Sequence, residues 1–148
     1  MLGIFLVFFQ SNTFDFQAIR QATIDPGIKN WIFILVLIGF GAKAGMVPLH
    51  FWTPDTYATA PHHASALMAG VMKKTAIYGI LRFSIDLLAP ASWWWGFIIL
   101  IFGAASVILG AFYALPEANI KRLLAYSSVE NVGIILMGVG LGVIGIGL

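Results

Sequence analysis

Apolar runs long enough to cross a bilayer alternate along this chain with short polar stretches. A spanning helix needs about 20 mostly apolar residues, since roughly 30 Å of hydrocarbon is covered at about 1.5 Å per residue. The run from Trp31 to Val47 is interrupted by Gly39, Gly41, Lys43 and Gly45 and stopped by Pro48. Proline removes a backbone donor and clashes with the preceding turn, so carbonyls near Ala44 lose their partners. Hydrocarbon tolerates that only beside protein or a wet cavity. The pattern therefore predicts a discontinuous helix over 31–58, whose second half covers His50 to about Tyr57. Further helices are predicted over 62–83, 93–115 and 121–148.

Residues 1–9 are apolar but too few to span, and they read as the end of another helix. Residues 10–30 turn polar, with Asp15, Arg20, Asp25 and Lys29, and read as an extramembrane loop. Asp25-Pro26-Gly27 is a turn signal within it. Phe14, Phe16 and Ile19 in the same stretch suit a short interfacial helix. Trp93, Trp94 and Trp95 stand at the mouth of the third full span, where aromatic rings favour the headgroup level, and Pro116-Glu117 closes it. That span holds no ionisable group and reads as a plain lipid-type helix. Because it starts and ends within apolar helices, the chain reads as a fragment of a single larger membrane domain.

Composition supports a lipid solvent. Of 148 residues 60% are hydrophobic and 9% charged, against roughly 25% charged in soluble domains, and the mean hydropathy is +0.94. A soluble domain of about 150 residues still exposes about 30% of its unfolded-chain surface, so it could not hide this many apolar side chains. Cysteine is absent, which removes disulfides, zinc thiolates and iron–sulfur ligation from this chain. The net charge of +2 is small and scattered, unlike the basic stripe that nucleic acid requires. Arg20, Lys29 and Arg82 on one side against Lys121 and Arg122 on the other are too evenly divided to set the orientation.

Candidate chemistry lies in ionisable groups inside the spans, each of which costs about 2.5–3.5 kcal/mol on insertion scales. Lys43 lies twelve residues after Trp31 and Lys74 twelve after His62, so each sits about 18 Å along its helix and near the bilayer centre. From there a lysine stem falls short of either interface. Desolvation eases loss of a lysine's proton and a carboxylate or water reverses it, which suits the residue to proton carriage. Lys73 and Lys74 point about 100° apart and cannot both face one polar path, so Lys73 reads as auxiliary, structural or subunit-facing. Tyr78 follows Lys74 by one turn. His50, His62 and His63 lie at loop and helix ends without the spacing or acidic companion of a zinc site. They read as hydrogen-bonded loop residues or as a proton entry. Glu130, beside Ser127 and Asn131, reads either as a cap-like interfacial group or as the carboxylate of a proton path. Gly133, Gly138, Gly140, Gly142, Gly145 and Gly147 permit close helix approach.

Two stretches, GFGAKAGMVPLHFWTPD at 39–55 and PHHASALMAGVMKKTAIYGILR at 61–82, together with KRLLAYSSVENVGI at 121–134, resemble the antiporter-like proton-translocating subunits. That superfamily is shared by respiratory complex I, Mrp cation/proton antiporters and membrane-bound hydrogenases. Ser128-Val129-Glu130-Asn131 and Ser65-Ala66-Leu67-Met68 look most like hydrogenase-4 component B and formate hydrogenlyase subunit 3. The resemblance implies an all-α integral membrane fold, a polytopic helix bundle with one Pro-broken helix at Gly45 and Pro48. It also implies that Lys43 and Lys74 form a pair passing protons along a buried polar axis; the positions of His50, His63, Lys73, Glu130 and Tyr78 make them, on the sequence itself, candidates to support that path. PHHASAL departs from the family's usual run at this place, and Lys73 stands where an apolar residue is common.

By this resemblance the chain belongs to a multi-pass subunit of the inner (cytoplasmic) membrane, driven by a peripheral redox arm of hydrogenase or dehydrogenase type and by other membrane subunits. No cofactor or metal is expected on the chain itself, and redox cofactors are expected in the partner subunits. Two rivals stay open: an Mrp-type Na⁺ or K⁺/proton antiporter subunit, and a non-conducting scaffold fragment.

Overall fold

The structure, a computed structural model, describes residues 2–13, 15–21, 24–89 and 91–147. Helices are the regular elements among them: α1 (Leu2–Ser11), α2 (Phe16–Gln21), α3 (Pro26–Ala44), α4 (Trp52–Thr59), α5 (His62–Leu67), α6 (Lys73–Leu81), α7 (Trp93–Ala114) and α8 (Ile120–Gly147). Two π-helical turns, Met68–Met72 and Arg82–Leu87, link α5 to α6 and extend α6. Backbone angles stay helical through these joins, so residues 62–87 form one rod. By length and apolar composition α3, α7 and α8 can each cross a membrane, and the chain is an all-α integral membrane polypeptide.

The loop expected over 10–30 is largely helical. Phe16 and Ile19 lie on α2, whereas Phe14 is outside the described residues. Asp25-Pro26-Gly27 starts α3 rather than turning the chain, and α3 begins five residues before Trp31. The Asp25 carboxylate accepts from the Gly27 amide at 3.2 Å, and Pro26 fills the first helical position. Asp and Pro favour this N-terminus for the same reasons that they favour turns, an orphan donor to satisfy and a fixed φ.

A glycine seam joins α7 to the antiparallel α8. Gly96, Gly103 and Gly110 on one helix and Gly133, Gly140 and Gly147 on the other recur every seven residues. A Cβ placed on Gly133 would stand 2.7 Å from the Gly103 carbonyl oxygen, and one on Gly103 would stand 3.0 Å from that of Gly133. The two backbones thus touch, as small residues permit in membranes. Gly138, Gly142 and Gly145 face open space and take no part. Nor is α7 a plain lipid helix: its buried face carries the seam and Ser106.

At the end of the bundle near Asn30, Phe33 stacks on Trp95 with ring centroids 4.6 Å apart. Trp95 Nε1 donates to Asn30 Oδ1 at 3.1 Å. Trp95 is therefore a core residue and not a headgroup anchor, while Trp93 is exposed. Asp86 accepts from Arg20 at 2.6 Å and pairs with Arg82 at 2.5 Å. The Arg20 hydrogen bond, with the charges of Arg20 and Arg82, holds the Asp86 carboxyl below the usual carboxylate range. At the opposite end Arg122 pairs with Asp55, and Lys121 Nζ donates to the Ala60 carbonyl at 2.9 Å. Both α2 and α4 are fastened to the rods they cross.

The discontinuity lies where α3 gives way to α4. α3 ends at Ala44 because Gly45 takes the left-handed conformation, φ 80° and ψ 36°, which costs glycine no Cβ clash. Pro48 lies three residues beyond this stop, and α4 resumes at Trp52 rather than His50 and ends at Thr59. Interrupting the helix strips partners from its last carbonyls and from the amides that follow. Gly41 O accepts from the amides of Gly45 and Met46, Ala42 O accepts from Trp52 Nε1 at 2.9 Å, and the Val47 amide donates to Ser106 Oγ at 3.0 Å. Side chains from α4 and α7 thereby replace the helical bonds that the break removes.

Two substitutions check these contacts. Gly133→Leu is expected to cost about 1–3 kcal/mol or more by overpacking, lowering the melting temperature of the detergent-solubilised protein, whereas Gly138→Leu leaves it unchanged; equal effects contradict the seam. Trp52→Phe removes the indole donor to Ala42 O, which keeps the Gly45 amide at 3.2 Å, and is expected to cost about 0.5–1.5 kcal/mol. Faster amide hydrogen exchange over residues 42–47 reports that loss, and unaltered exchange there contradicts the role of the indole.

Candidate functional site

Three features meet at the broken helix: the C-terminal end of α3, the polar side chains of the connection and α4, and the start of α6. Thr53 and Lys73 are fully buried, at 0% and 1% exposure. A Cβ on Gly45 would lie 2.9 Å from Thr53 Oγ1 and 3.4 Å from Lys73 Nζ. The Lys73 ammonium also stands 5.3 Å over the centre of the buried Tyr57 ring, a geometry that favours a cation. Tyr57 faces Ser128 on α8, but its hydroxyl does not reach hydrogen-bond geometry. His50 lies within electrostatic reach of Lys73, and its ring is 6.4 Å from that of Tyr113.

On the other side of α6, Lys73 and Lys74 line a cavity of about 410 Å³ with Ser127, Ser128 and Asn131. α8 lines it with both the polar Ser127, Ser128 and Asn131 and the apolar Leu124, Val132 and Ile135. Lys73 thus borders both the break and this cavity, while Lys74 borders the cavity alone.

Of the two adjacent lysines, Lys73 is inside and Lys74 is exposed. The π turn Met68–Met72 immediately precedes them. A π turn carries one more residue than an α turn and so resets the angular position of every later side chain. Within α6 itself Lys73 shares the buried face with Ala76, Ile77 and Ile80, at the i, i+3, i+4 and i+7 spacing of an ordinary helix.

Lys43 is exposed and lines a separate cleft of about 230 Å³ with Gly3, Ile4, Leu35, Val36, Gly39 and Phe40. The structure therefore does not bring Lys43 and Lys74 into one cavity. Glu130 is half-buried, with its backbone and Cβ against Gly110 on α7. His62 and His63 are exposed at the start of α5, and Tyr78 is 60% exposed. Among the described residues no three His, Asp or Glu side chains gather as a metal site would. Thr53, Tyr57, Trp52 and Ser106 were not singled out from the sequence. Their signal is a hydroxyl or indole N–H inside an apolar segment, where each must find a partner.

Comparison with known proteins agrees with this architecture. Hydrogenase-4 component B of Escherichia coli (strain K12) is 49% identical over 150 residues, an alignment covering all of this chain and 22% of that protein. Formate hydrogenlyase subunit 3 of the same organism is 40% identical over 147 residues, covering 99% of this chain and 24% of that protein. The chain therefore spans about a quarter or less of these relatives. A chain in the structure of the Mrp complex from Dietzia sp. DQ12-45-1b superposes with a TM-score of 0.81 at 26% identity, over 95% of this chain and 26% of that one. The sequence profile described as NADH:quinone oxidoreductase/Mrp antiporter, TM, matches residues 1–148. Taken with the glycine-stopped helix and its flanking lysines, that match establishes the chain as a member of the NADH:quinone oxidoreductase/Mrp antiporter transmembrane family.

Proposed function

We propose that this chain forms part of a proton-translocating membrane subunit of a redox-driven complex, of the hydrogenase-4/formate hydrogenlyase or NADH:quinone oxidoreductase type. The observation that carries the reading is the interrupted helix α3–α4 with intramembrane lysines on and beside it, Lys43 near the end of α3 and Lys74 on α6. An ionisable group on a helix of this apolar character is expensive and points first to a functional role. Broken helices serve the same end, since they place backbone dipole ends at mid-membrane. The similarity to hydrogenase-4 component B and formate hydrogenlyase subunit 3 supports the choice of complex.

In this reading Lys43 takes up a proton from one side as an acidic partner in another segment moves away. The proton then passes through water toward Lys74 and the Ser127, Ser128 and Asn131 cavity. Redox cofactors reside in a peripheral hydrogenase or dehydrogenase arm, other membrane subunits complete the path, and the assembly lies in the inner membrane. His50, His63, Glu130 and Tyr78 support the path. An Mrp-type exchange of Na⁺ or K⁺ for protons is the second reading, favoured by the superposition on the Mrp complex.

Proton uptake into inverted vesicles carrying the complete assembly tests the proposal, with electron transfer followed in parallel. Lys43→Ala and Lys74→Met are each expected to lower protons moved per electron about tenfold or more, the scale of a lost acid–base group, while the assembly remains intact. Unchanged pumping in both variants contradicts the proposal. Sodium-dependent uptake without electron transfer establishes the second reading in its place.

A further inference from the structure

Lys73 is the most deeply buried ionisable side chain among the described residues, and no carboxylate is paired with it. Its Nζ, Thr53 Oγ1, the Tyr57 hydroxyl and His50 Nδ1 are all buried and all without a hydrogen-bond partner in the protein. Atoms of this kind are normally satisfied by internal water making two to four bonds. They come from the break, from α4 and from α6, and Thr53 Oγ1 and Lys73 Nζ converge on the same side of Gly45.

Burial works against an ammonium at this place, and two features offset part of that cost without fixing the charge. The carbonyl end of α3 carries partial negative charge, and the Tyr57 ring presents its π face. The titratable groups that face Lys73 are His50 and Tyr57 on the break side and Lys74 next to it on its own helix. From α8 come only the neutral Ser127, Ser128 and Asn131. When a lysine paired with a carboxylate gives up its proton, an uncompensated buried anion is left behind. Lys73 can lose its proton and strand no charge.

We propose that Lys73 is a proton carrier in its own right, joining the chamber behind the α3–α4 break to the cavity that holds Lys74. Its neutral amine takes a proton from water held among His50, Thr53 and Tyr57, and its ammonium then gives a proton to water on the Ser127, Ser128 and Asn131 side. One N–H bond forms and one breaks in each passage, the donor water is reprotonated from the His50 side, and no electron moves. This step rests on the proton-translocating reading above and adds a third lysine to it, beside Lys43 and Lys74.

The test uses the complete assembly with Lys73→Met, Lys73→Arg and Lys73→His, and with Lys74→Met alongside. Arginine keeps the charge and does not deprotonate, whereas histidine titrates near pH 6.5. Met and Arg are each expected to lower protons moved per electron about tenfold or more. His is expected to restore most of the loss, with the pumping profile displaced to lower pH. Wild-type pumping in Lys73→Met or Lys73→Arg overturns the proposal, because packing or fixed charge then suffices. If Lys74→Met alone abolishes pumping, this inference fails and the broader reading stands; if the Lys73 variants, Lys74→Met and Lys43→Ala all leave pumping unchanged, both fail. Should the Lys73 variants not assemble, Thr53→Val combined with Tyr57→Phe decides. That pair is expected to reduce pumping about tenfold, and unchanged pumping overturns the proposal.

Discussion

Within hydrocarbon every backbone N–H and C=O needs a partner, and the interruption of α3 at Gly45 is the point where that requirement is hardest to meet. Trp52 Nε1 on the Ala42 carbonyl and Ser106 Oγ on the Val47 amide meet it there. Each is a single contact from a different helix, so the break is stable only while α4 and α7 stay in place. The placement of Thr53, Tyr57 and Lys73 beside the break, and with it the reading of function, follows from that arrangement.

The glycine seam explains how α7 can supply its part. Backbone contact between Gly103 and Gly133 sets α7 and α8 at close approach, and Ser106 lies against the same glycine. From there its hydroxyl donates to Phe102 O at 2.7 Å and accepts from Val47 at 3.0 Å. α8 simultaneously presents Ser127, Ser128 and Asn131 to the lysines of α6. One helix pair thus closes the break on one side and lines the cavity on the other. At both ends of the bundle ion pairs fasten the connecting segments, Arg20 and Arg82 with Asp86 and Arg122 with Asp55.

Much of this was legible in the sequence. Apolar run length located α7 and α8 to within a residue or two, because hydrocarbon thickness dictates helix length. Clustered Gly39, Gly41 and Gly45 ahead of Pro48 announced a discontinuity. Its position at Gly45 was not fixed by the proline, because a left-handed glycine ends a helix earlier than proline forces it to end. Asp25-Pro26-Gly27 misled because a helix N-terminus and a turn draw on the same residues. Trp95 misled because the rings of three consecutive tryptophans point in different directions, and Phe33 and Asn30 capture one of them. The lysines show the limit most clearly. Lys43 and Lys74 stood out by depth, but burial fell on Lys73, which shares its helix face with Ala76, Ile77 and Ile80.

The central claim is that the break in α3 opens onto a hydrated polar chamber holding Lys73. A structure of the complete assembly in lipid, at a resolution that shows ordered water, tests it most directly. The account predicts water within hydrogen-bonding distance of Lys73 Nζ, Thr53 Oγ1 and the Tyr57 hydroxyl, continuous with the cavity at Ser127 and Asn131. A dry site, with Lys73 Nζ bound directly to a carboxylate from another segment, would contradict it.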